Sequence, residues 1–201
     1  MNYALRILLD TDAAQFANLE ALQKAFSEVC NALAPIIRST RCWNRVALHH
    51  LAYKTLRAQF PAMGSQMVCN AIYSASRTSR LVYQHPQSPF NLNRLGDKAL
   101  PLIRFLHTCP VYFDRHTLSV KDGRLSMYTL EGRMRFHLAL KQADESQFHE
   151  KKLREVVLSR VSPHSFALDF SFSSTDVDAG EPVANSDNGE IPEYVMVEET
   201  A

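Results

Sequence analysis

Several features that would place a sequence in a familiar class are missing here. No apolar stretch approaches the ~20 uninterrupted residues of a membrane helix, and the residues from Met1 to Arg6 lack the basic start and long apolar core of a secretory signal. Neither the phosphate-binding pattern G-x-x-x-x-G-K-S/T nor the G-x-S-x-G pattern of a nucleophilic serine occurs. We therefore expect a cytoplasmic protein that does not use a membrane, and we find no candidate catalytic residue.

The four cysteines match no common metal or disulfide pattern. None of Cys30, Cys42, Cys69 and Cys109 belongs to a C-x-x-C pair. The one close pair with histidine, His107-x-Cys109, has no second pair at zinc-finger spacing. Because apolar residues flank Cys30 and Cys69, we expect buried free thiols. No metal and no other cofactor is predicted.

The net charge of +1 conceals a strong asymmetry. All 22 lysines and arginines lie at or before Arg160, whereas only 13 of the 21 acids lie in residues 1–172, which therefore carry a net charge of +9. The other eight acids follow Phe172 and give the tail a charge of −8. Most of the basic residues are arginine, whose guanidinium suits bidentate contact with phosphate. A basic body with an acidic tail is typical of a nucleic-acid-binding protein. A merely solvated basic surface is the alternative.

The first half of the sequence predicts one strand followed by three helices. Residues 3–9 are mostly apolar, as in a strand, and Asp12 with Gln15 matches a capping box that begins a helix near Ala13. Apolar residues then recur at steps of three and four, and we expect Pro35 to kink or end this helix. The recurring positions are Leu19, Leu22, Phe26, Val29, Cys30, Leu33 and Ile37.

The second and third predicted helices each have a basic face. The second spans roughly 45–60, and the third runs from Ser65 to about Tyr83. On the third helix, spacings of four and three place an aromatic residue and two arginines on one ridge, which is Tyr73, Arg77 and Arg80. The basic positions on and just before the second helix are Arg41, Arg45, His50, Lys54 and Arg57.

The second half of the sequence alternates between apolar and polar residues, as antiparallel strands do. Asp122-Gly123 predicts a two-residue hairpin turn. Further along, the basic residues Arg133, Arg135 and His137 alternate with apolar neighbours, so that one face of this strand is cationic. Its cationic face is either a groove for nucleic acid or a solvated surface.

These elements predict an α+β fold with a small antiparallel β-barrel. The barrel would consist of residues 1–11 and 102–172, interrupted by a three-helix insert at 12–101 that ends in a Pro-rich connector. Residues 173–201 are acidic and rich in polar residues, so we expect them to be disordered, apart from an apolar contact by Tyr194-Val195-Met196-Val197.

Several short motifs follow one another in a moderately specific order over about residues 3–172. The helical motifs are Cys30-Asn31, Leu48-His49-x-x-x-Tyr53-x-x-Leu56-Arg57-x-x-Phe60 and Ser65-Gln66-x-x-x-x-Ala71-Ile72. The strand motifs are Leu118-Ser119-Val120, Leu125-Ser126 and Thr129-Leu130-x-Gly132-Arg133. Their order resembles the N-terminal part of the TnpB family, the RNA-guided nucleases encoded by transposons, and that of the miniature type V CRISPR relatives of the family.

The resemblance implies a role for both predicted parts of the chain. In the family, a wedge domain with a β-barrel holds the guide RNA scaffold, and inserted recognition helices contact the guide–target duplex and the flanking DNA. By this resemblance, basic residues would contact the nucleic-acid backbone, and Tyr53 and Tyr73 would either stack on bases or pack in the core. The predicted nucleic-acid-binding residues are Arg41, Arg45, His50, Lys54, Arg57, Tyr73, Arg77, Arg80, Arg124, Arg133 and Arg135.

The sequence departs from the family after the predicted barrel. A full member continues into a RuvC-type nuclease, whose separated carboxylates hold two metal ions. Here Asp176-Val177-Asp178 resembles the first nuclease motif only superficially, and the zinc-ribbon cysteines are missing. We expect a nuclease-deficient, truncated relative that binds structured RNA and double-stranded DNA in the cytoplasm or at the nucleoid. The alternatives are a protein-interaction or accessory subunit and an enzyme completed in trans by a separate nuclease or transposase chain.

Overall fold

The computed structural model describes residues 3–173 and 189–199, and these residues have the α+β fold that the sequence predicts. The helices are α1 (Ala13–Thr40), α2 (Arg45–Gln59), α3 (Ser65–Gln84), α4 (Leu92–Leu95) and α5 (Gln142–Glu150). The strands are β1 (Tyr3–Leu8), β2 (Leu102–Phe105), β3 (Val111–Phe113), β4 (Leu118–Lys121), β5 (Arg124–Thr129), β6 (Gly132–His137), β7 (Lys152–Ser162), β8 (Ser165–Ser173) and β9 (Val195–Glu198).

The described residues divide into two compact units. The first unit takes its described residues from Met1–Gln23 and Pro110–Ala179, and the second takes them from Lys24–Cys109 and Gly180–Ala201. Helix α1 therefore contributes its first part to one unit and its remainder to the other. Strand β2, which we expected in the barrel, belongs to the second unit.

The first unit contains two antiparallel sheets, with strand orders β1-β8-β7-β3 and β4-β5-β6. The alternating phenylalanines Phe166, Phe170 and Phe172 of β8 are buried, and Phe148 of α5 packs edge-on against the last two. The predicted barrel is wrong, because β1, β3, β4 and β6 remain edge strands within the described residues. A barrel gives every strand two neighbours, and the alternation of a sequence identifies the inward face without indicating whether edges meet.

Helix α1 begins where the sequence predicts and extends past Pro35. The capping box is confirmed, since the backbone N–H of Asp12 donates to Gln15 at 3.0 Å and the backbone N–H of Gln15 donates to Asp12 at 2.8 Å. Of the two effects expected of Pro35, a kink or an end of the helix, the end does not occur, because α1 continues to Thr40. Pro35 lies on the exposed side of the helix, where water can hydrate the carbonyl that loses its intrahelical partner.

The second unit also contains part of the acidic tail. Strand β9 pairs antiparallel with β2, Val195 is buried, and the backbone N–H of Leu106 donates to the carbonyl of Tyr194 at 2.9 Å. Arg104 and Glu198 add an ion pair of 2.6 Å across the two strands. The expected apolar contact of residues 194–197 therefore takes the form of a strand pairing. Residues 174–188, with Asp176 and Asp178, lie outside the described residues.

We expect Glu198 to titrate below the ordinary range of a glutamate. The hydrogen bond from Arg104, helped by its charge, lowers the pKa of Glu198. A depressed pKa means that this pair stabilises the fold above the unfolded pKa of the carboxyl group and loses that effect as the pH falls through the folded pKa. Carbon-13 NMR titration should give a low midpoint that returns to the ordinary range in Arg104→Gln and stays low in Arg94→Gln. Equal midpoints in wild type and Arg104→Gln would contradict the pairing.

Candidate nucleic-acid interface

One stretch of the second unit contains no acidic residue. Between Glu28 and Asp97 there is neither an aspartate nor a glutamate, and this stretch includes all of α2 and α3. Its lysines and arginines are Arg38, Arg41, Arg45, Lys54, Arg57, Arg77, Arg80 and Arg94. The cations on α2 and α3 have no carboxylate on either of these two helices, so the packing of α2 against α3 concentrates positive charge.

Four of the predicted residues come together where α2 packs against α3. The guanidinium carbon of Arg45, at the start of α2, lies 5.1 Å from the centre of the Tyr73 ring on α3. Arg77 and Arg80 follow Tyr73 on the same ridge, one and two turns further on. We call Arg45, Tyr73, Arg77 and Arg80 the α3 cluster. The sequence predicted the ridge on α3, and the structure adds the cation–π contact from α2.

The electrostatics of the α3 cluster favour an anion. Partial burial lowers the pKa of Arg80, and the positive charge of Arg77 lowers it further, while Tyr73 acts in the opposite direction. Arginine remains protonated at neutral pH despite such a shift. The charged Arg80 is therefore repelled by Arg77 and has lost part of its hydration. A phosphate group bound by these guanidinium groups would reduce the repulsion between them and would replace the lost hydrogen bonds to water.

The other predicted residues of the second unit occupy two kinds of position. His50 and Lys54 are exposed on α2. Arg41 and Arg57 each donate to a backbone carbonyl, Arg41 to Lys98 at 3.2 Å and Arg57 to Met63. A single such bond leaves the charge and several of the five donors of each guanidinium available. The structure thus places these residues without bringing them into the α3 cluster.

The Tyr53 ring has one face in contact with a neighbouring side chain of α2. It stacks on the ring of His49 at a centroid distance of 4.6 Å and an angle of 18°. His49 in turn meets His50 edge-on, with centroids 5.9 Å apart. Tyr53 is half-buried at this position.

The first unit has a separate cationic surface on the β4-β5-β6 sheet. Strand pairing places Lys121 opposite Arg124, Arg135 opposite Ser126, and His137 opposite Arg124. Paired residues share a face of a sheet, and these side chains lie on the exposed or half-buried side. We call this surface the sheet face. Its basic residues are Lys121, Arg124, Arg133, Arg135 and His137. The opposite face buries Leu118, Leu125, Met127 and Phe136.

Two basic residues of the sheet face, Lys121 and His137, were not among the predicted site residues. The signal for Lys121 was present, because a two-residue turn at Asp122-Gly123 necessarily places Lys121 opposite Arg124. The sequence had already placed His137 on the cationic face of its strand, together with Arg133 and Arg135. Arg133 is held in place on this face, since it donates to the carbonyl of His116 at 2.8 Å.

The described residues offer no group of three His, Cys, Asp or Glu side chains that could hold a metal ion. The predicted free thiols are confirmed; Cys30 and Cys109 are buried, whereas Cys69 is half-buried. Burial raises the pKa of Cys30 well above its ordinary value and that of Cys109 to about 12. Both thiols are therefore protonated at neutral pH and are poor nucleophiles.

None of the helices in the described ranges combines the length and the apolar character that a membrane crossing requires. In comparisons with known proteins, neither a protein-family model nor a curated protein matches this chain.

Proposed function

We propose that this chain binds nucleic acid through its phosphate backbone, with structured RNA as the main partner and double-stranded DNA as a second one. The observation that carries the proposal is the acid-free stretch between Glu28 and Asp97, with the α3 cluster in its middle. A stretch of chain that carries guanidinium groups and no carboxylate of its own suits a polyanion, because each phosphate contact releases counterions. The sheet face adds a second cationic surface with the same chemistry.

The resemblance to the TnpB family supports a narrower form of the proposal. In this form the chain is a nuclease-deficient relative whose second unit corresponds to recognition helices and whose sheets correspond to wedge strands. It holds a guide RNA scaffold in the cytoplasm or at the nucleoid, and we assign no cleavage step to it. A guide scaffold is recognised through its A-form shape and backbone, which fits surfaces rich in arginine.

A protein-interaction or accessory role is the second candidate, and one observation favours it. Val46 and Leu51 on α2 are 65% and 53% exposed, which places apolar surface beside His50 and Lys54. Exposed aliphatic side chains close together on one helix are typical of surfaces that dock on another protein. In this role the chain would work with a separately encoded nuclease or transposase chain, which would complete an enzyme in trans.

We expect the purified chain to bind a labelled RNA hairpin with strong salt dependence. Fluorescence anisotropy between 50 and 300 mM salt should give a log–log slope that corresponds to about 0.7–0.9 per phosphate contact, since affinity rests on counterion release. The same hairpin with a methylphosphonate backbone is the matched control and should bind weakly. A ratio of absorbance at 260 and 280 nm typical of bare protein after low-salt purification, with no shift in anisotropy, would contradict the proposal and favour the protein-interaction role.

A further inference from the structure

Two edge strands of the first unit border one elongated groove. The groove has a volume of about 660 Å³, which is within the range of ligand pockets. One wall is the continuous run from Leu5 to Asp10, most of which is β1, and the other is the run from Arg135 to Lys141, which begins in β6. Four residues of β1, Leu5–Leu8, and three of β6, Arg135–His137, border the groove as extended chain. A groove with two extended walls fits an extended chain better than a compact molecule.

Strand β1 turns half of its backbone groups toward the groove. Leu9 donates its backbone N–H to the carbonyl of Phe166, the residue directly opposite in the β1–β8 register. In an antiparallel pair, hydrogen-bonded and non-hydrogen-bonded pairs alternate along the strand. Arg6 and Leu8 are therefore non-hydrogen-bonded positions, and their N–H and C=O groups point away from β8.

Strand β6 presents the same arrangement on the other wall. Leu138 donates its backbone N–H to the carbonyl of Gly123, which is its direct partner in the continued β5–β6 register. By the same alternation, Arg135 and His137 turn their N–H and C=O groups away from β5. Within the described ranges β1 pairs only with β8 and β6 only with β5, so both walls keep backbone donors and acceptors for one additional strand.

The side chains of the groove favour an acidic partner. Arg6 is already paired with Asp169 at 2.6 Å, and Asp144 accepts a hydrogen bond from Tyr3 at 2.7 Å. Arg135 and Lys141 are exposed on the other wall, and Asp10 is the remaining carboxylate of the lining. Leu8 is 66% exposed on the first wall. The run from Arg135 to Lys141 thus carries two cationic side chains and no carboxylate, and the groove combines this positive wall with aliphatic surface.

We propose that this groove binds an extended peptide segment of a partner protein, in which acidic and aliphatic residues alternate. The segment adds as a strand between β1 and β6, and its backbone pairs with both edges. Its aliphatic side chains contact Leu8, and its carboxylates face Arg135 and Lys141. The inference does not depend on nucleic-acid binding, because it rests on backbone groups that a nucleic acid cannot pair in register.

The test uses a fluorescein-labelled heptapeptide of alternating glutamate and valine. It should bind the full chain saturably in fluorescence anisotropy. The same peptide with two N-methylated backbone amides should bind at least about fivefold more weakly, because each of the two lost hydrogen bonds costs roughly 0.5–1.5 kcal/mol. A peptide with lysine in place of glutamate should also bind more weakly. Equal binding of the N-methylated peptide would overturn strand addition, since charge alone would then explain the contact.

A matched pair of variants locates the peptide on β1. Leu8→Pro removes an N–H that points into the groove, while Ala4→Pro removes an N–H that is equivalent in the register but lies beyond the lining. Proline is tolerated in edge strands at such outward positions. Leu8→Pro should weaken peptide binding about tenfold relative to Leu8→Ala, and Ala4→Pro should leave it unchanged.

Three results would overturn the proposal. One is unchanged peptide binding in Leu8→Pro. Another is self-association of the wild-type chain that Leu8→Pro abolishes, because a second copy would then occupy the groove. The third is loss of RNA hairpin binding in Leu8→Pro, which would assign the groove to nucleic acid. If Leu8→Pro fails to fold, the parent and N-methylated peptides can be compared on the wild-type protein, and this comparison still tests whether the peptide binds as an added strand.

Discussion

Replacing Arg45, Arg77 and Arg80 together with glutamine should weaken binding of an RNA hairpin by about 100-fold at 0.1 M salt. Each phosphate contact contributes about 0.7 to the log–log salt slope for single strands and about 0.9 for duplex DNA, so three lost contacts amount to about two to three decades at this salt concentration. The slope itself should become flatter by about two units. Fluorescence anisotropy over a salt series measures both quantities.

The matched control replaces three arginines that form ion pairs elsewhere in the chain. Arg6, Arg104 and Arg160 form ion pairs with Asp169, Glu198 and Glu20. The triple variant with glutamine at these positions loses the same number of charges, yet it should change the affinity less than about threefold and leave the slope almost unchanged. Equal losses in the two triple variants would contradict a site at the α3 cluster and indicate a general effect of net charge.

Phe170→Ala should destabilise the first unit by about 3–5 kcal/mol, which is the usual cost of removing a buried phenylalanine. The ring is fully buried on the central strand β8 and packs against Phe148 at 5.2 Å. Urea unfolding followed by circular dichroism measures the change. Val161→Ala, at a side chain 41% exposed on the neighbouring strand, is the control and should cost less than about 1 kcal/mol.

The single tryptophan allows the same experiment to follow the two units separately. Trp43 belongs to the second unit, where it is buried beside Tyr83 at a ring distance of 5.2 Å. If the units unfold independently, Phe170→Ala should shift the circular dichroism transition and leave the Trp43 fluorescence transition in place. A fully stable Phe170→Ala protein would contradict the packing of β8.

Much of the local structure could be predicted because its causes lie within a few residues. The capping box of Asp12 and Gln15 is a contact between positions three apart, and both of its hydrogen bonds form. The hairpin turn requires positive φ at Asp122 and Gly123, where the values are 50° and 67°. The same short range explains the ridge of Tyr73, Arg77 and Arg80, because helical geometry alone places residues four and three apart on one side.

The arrangement of charge could be predicted only in part. The excess of arginine and the acidic tail are visible in composition, and so is the absence of acids between Glu28 and Asp97. The contact of Arg45 with Tyr73 is different, because it joins residues 28 positions apart and depends on how α2 packs against α3. Helical periodicity gives the face of each helix and not the angle or the register at which two faces meet.

Local sequence patterns establish where most helices and strands form, which of their faces are apolar, and the segregation of basic from acidic residues, since these depend on neighbouring side chains and on composition. Which strands become neighbours depends on long-range packing. The pairing of β2 with β9 joins residues 94 positions apart at Arg104 and Glu198, and the open edges of β1 and β6 replaced the expected barrel. All strand edges carry the same backbone donors and acceptors, so several distant strands could pair with any one edge. The alternation of residues within one strand therefore does not identify the strand that pairs with it.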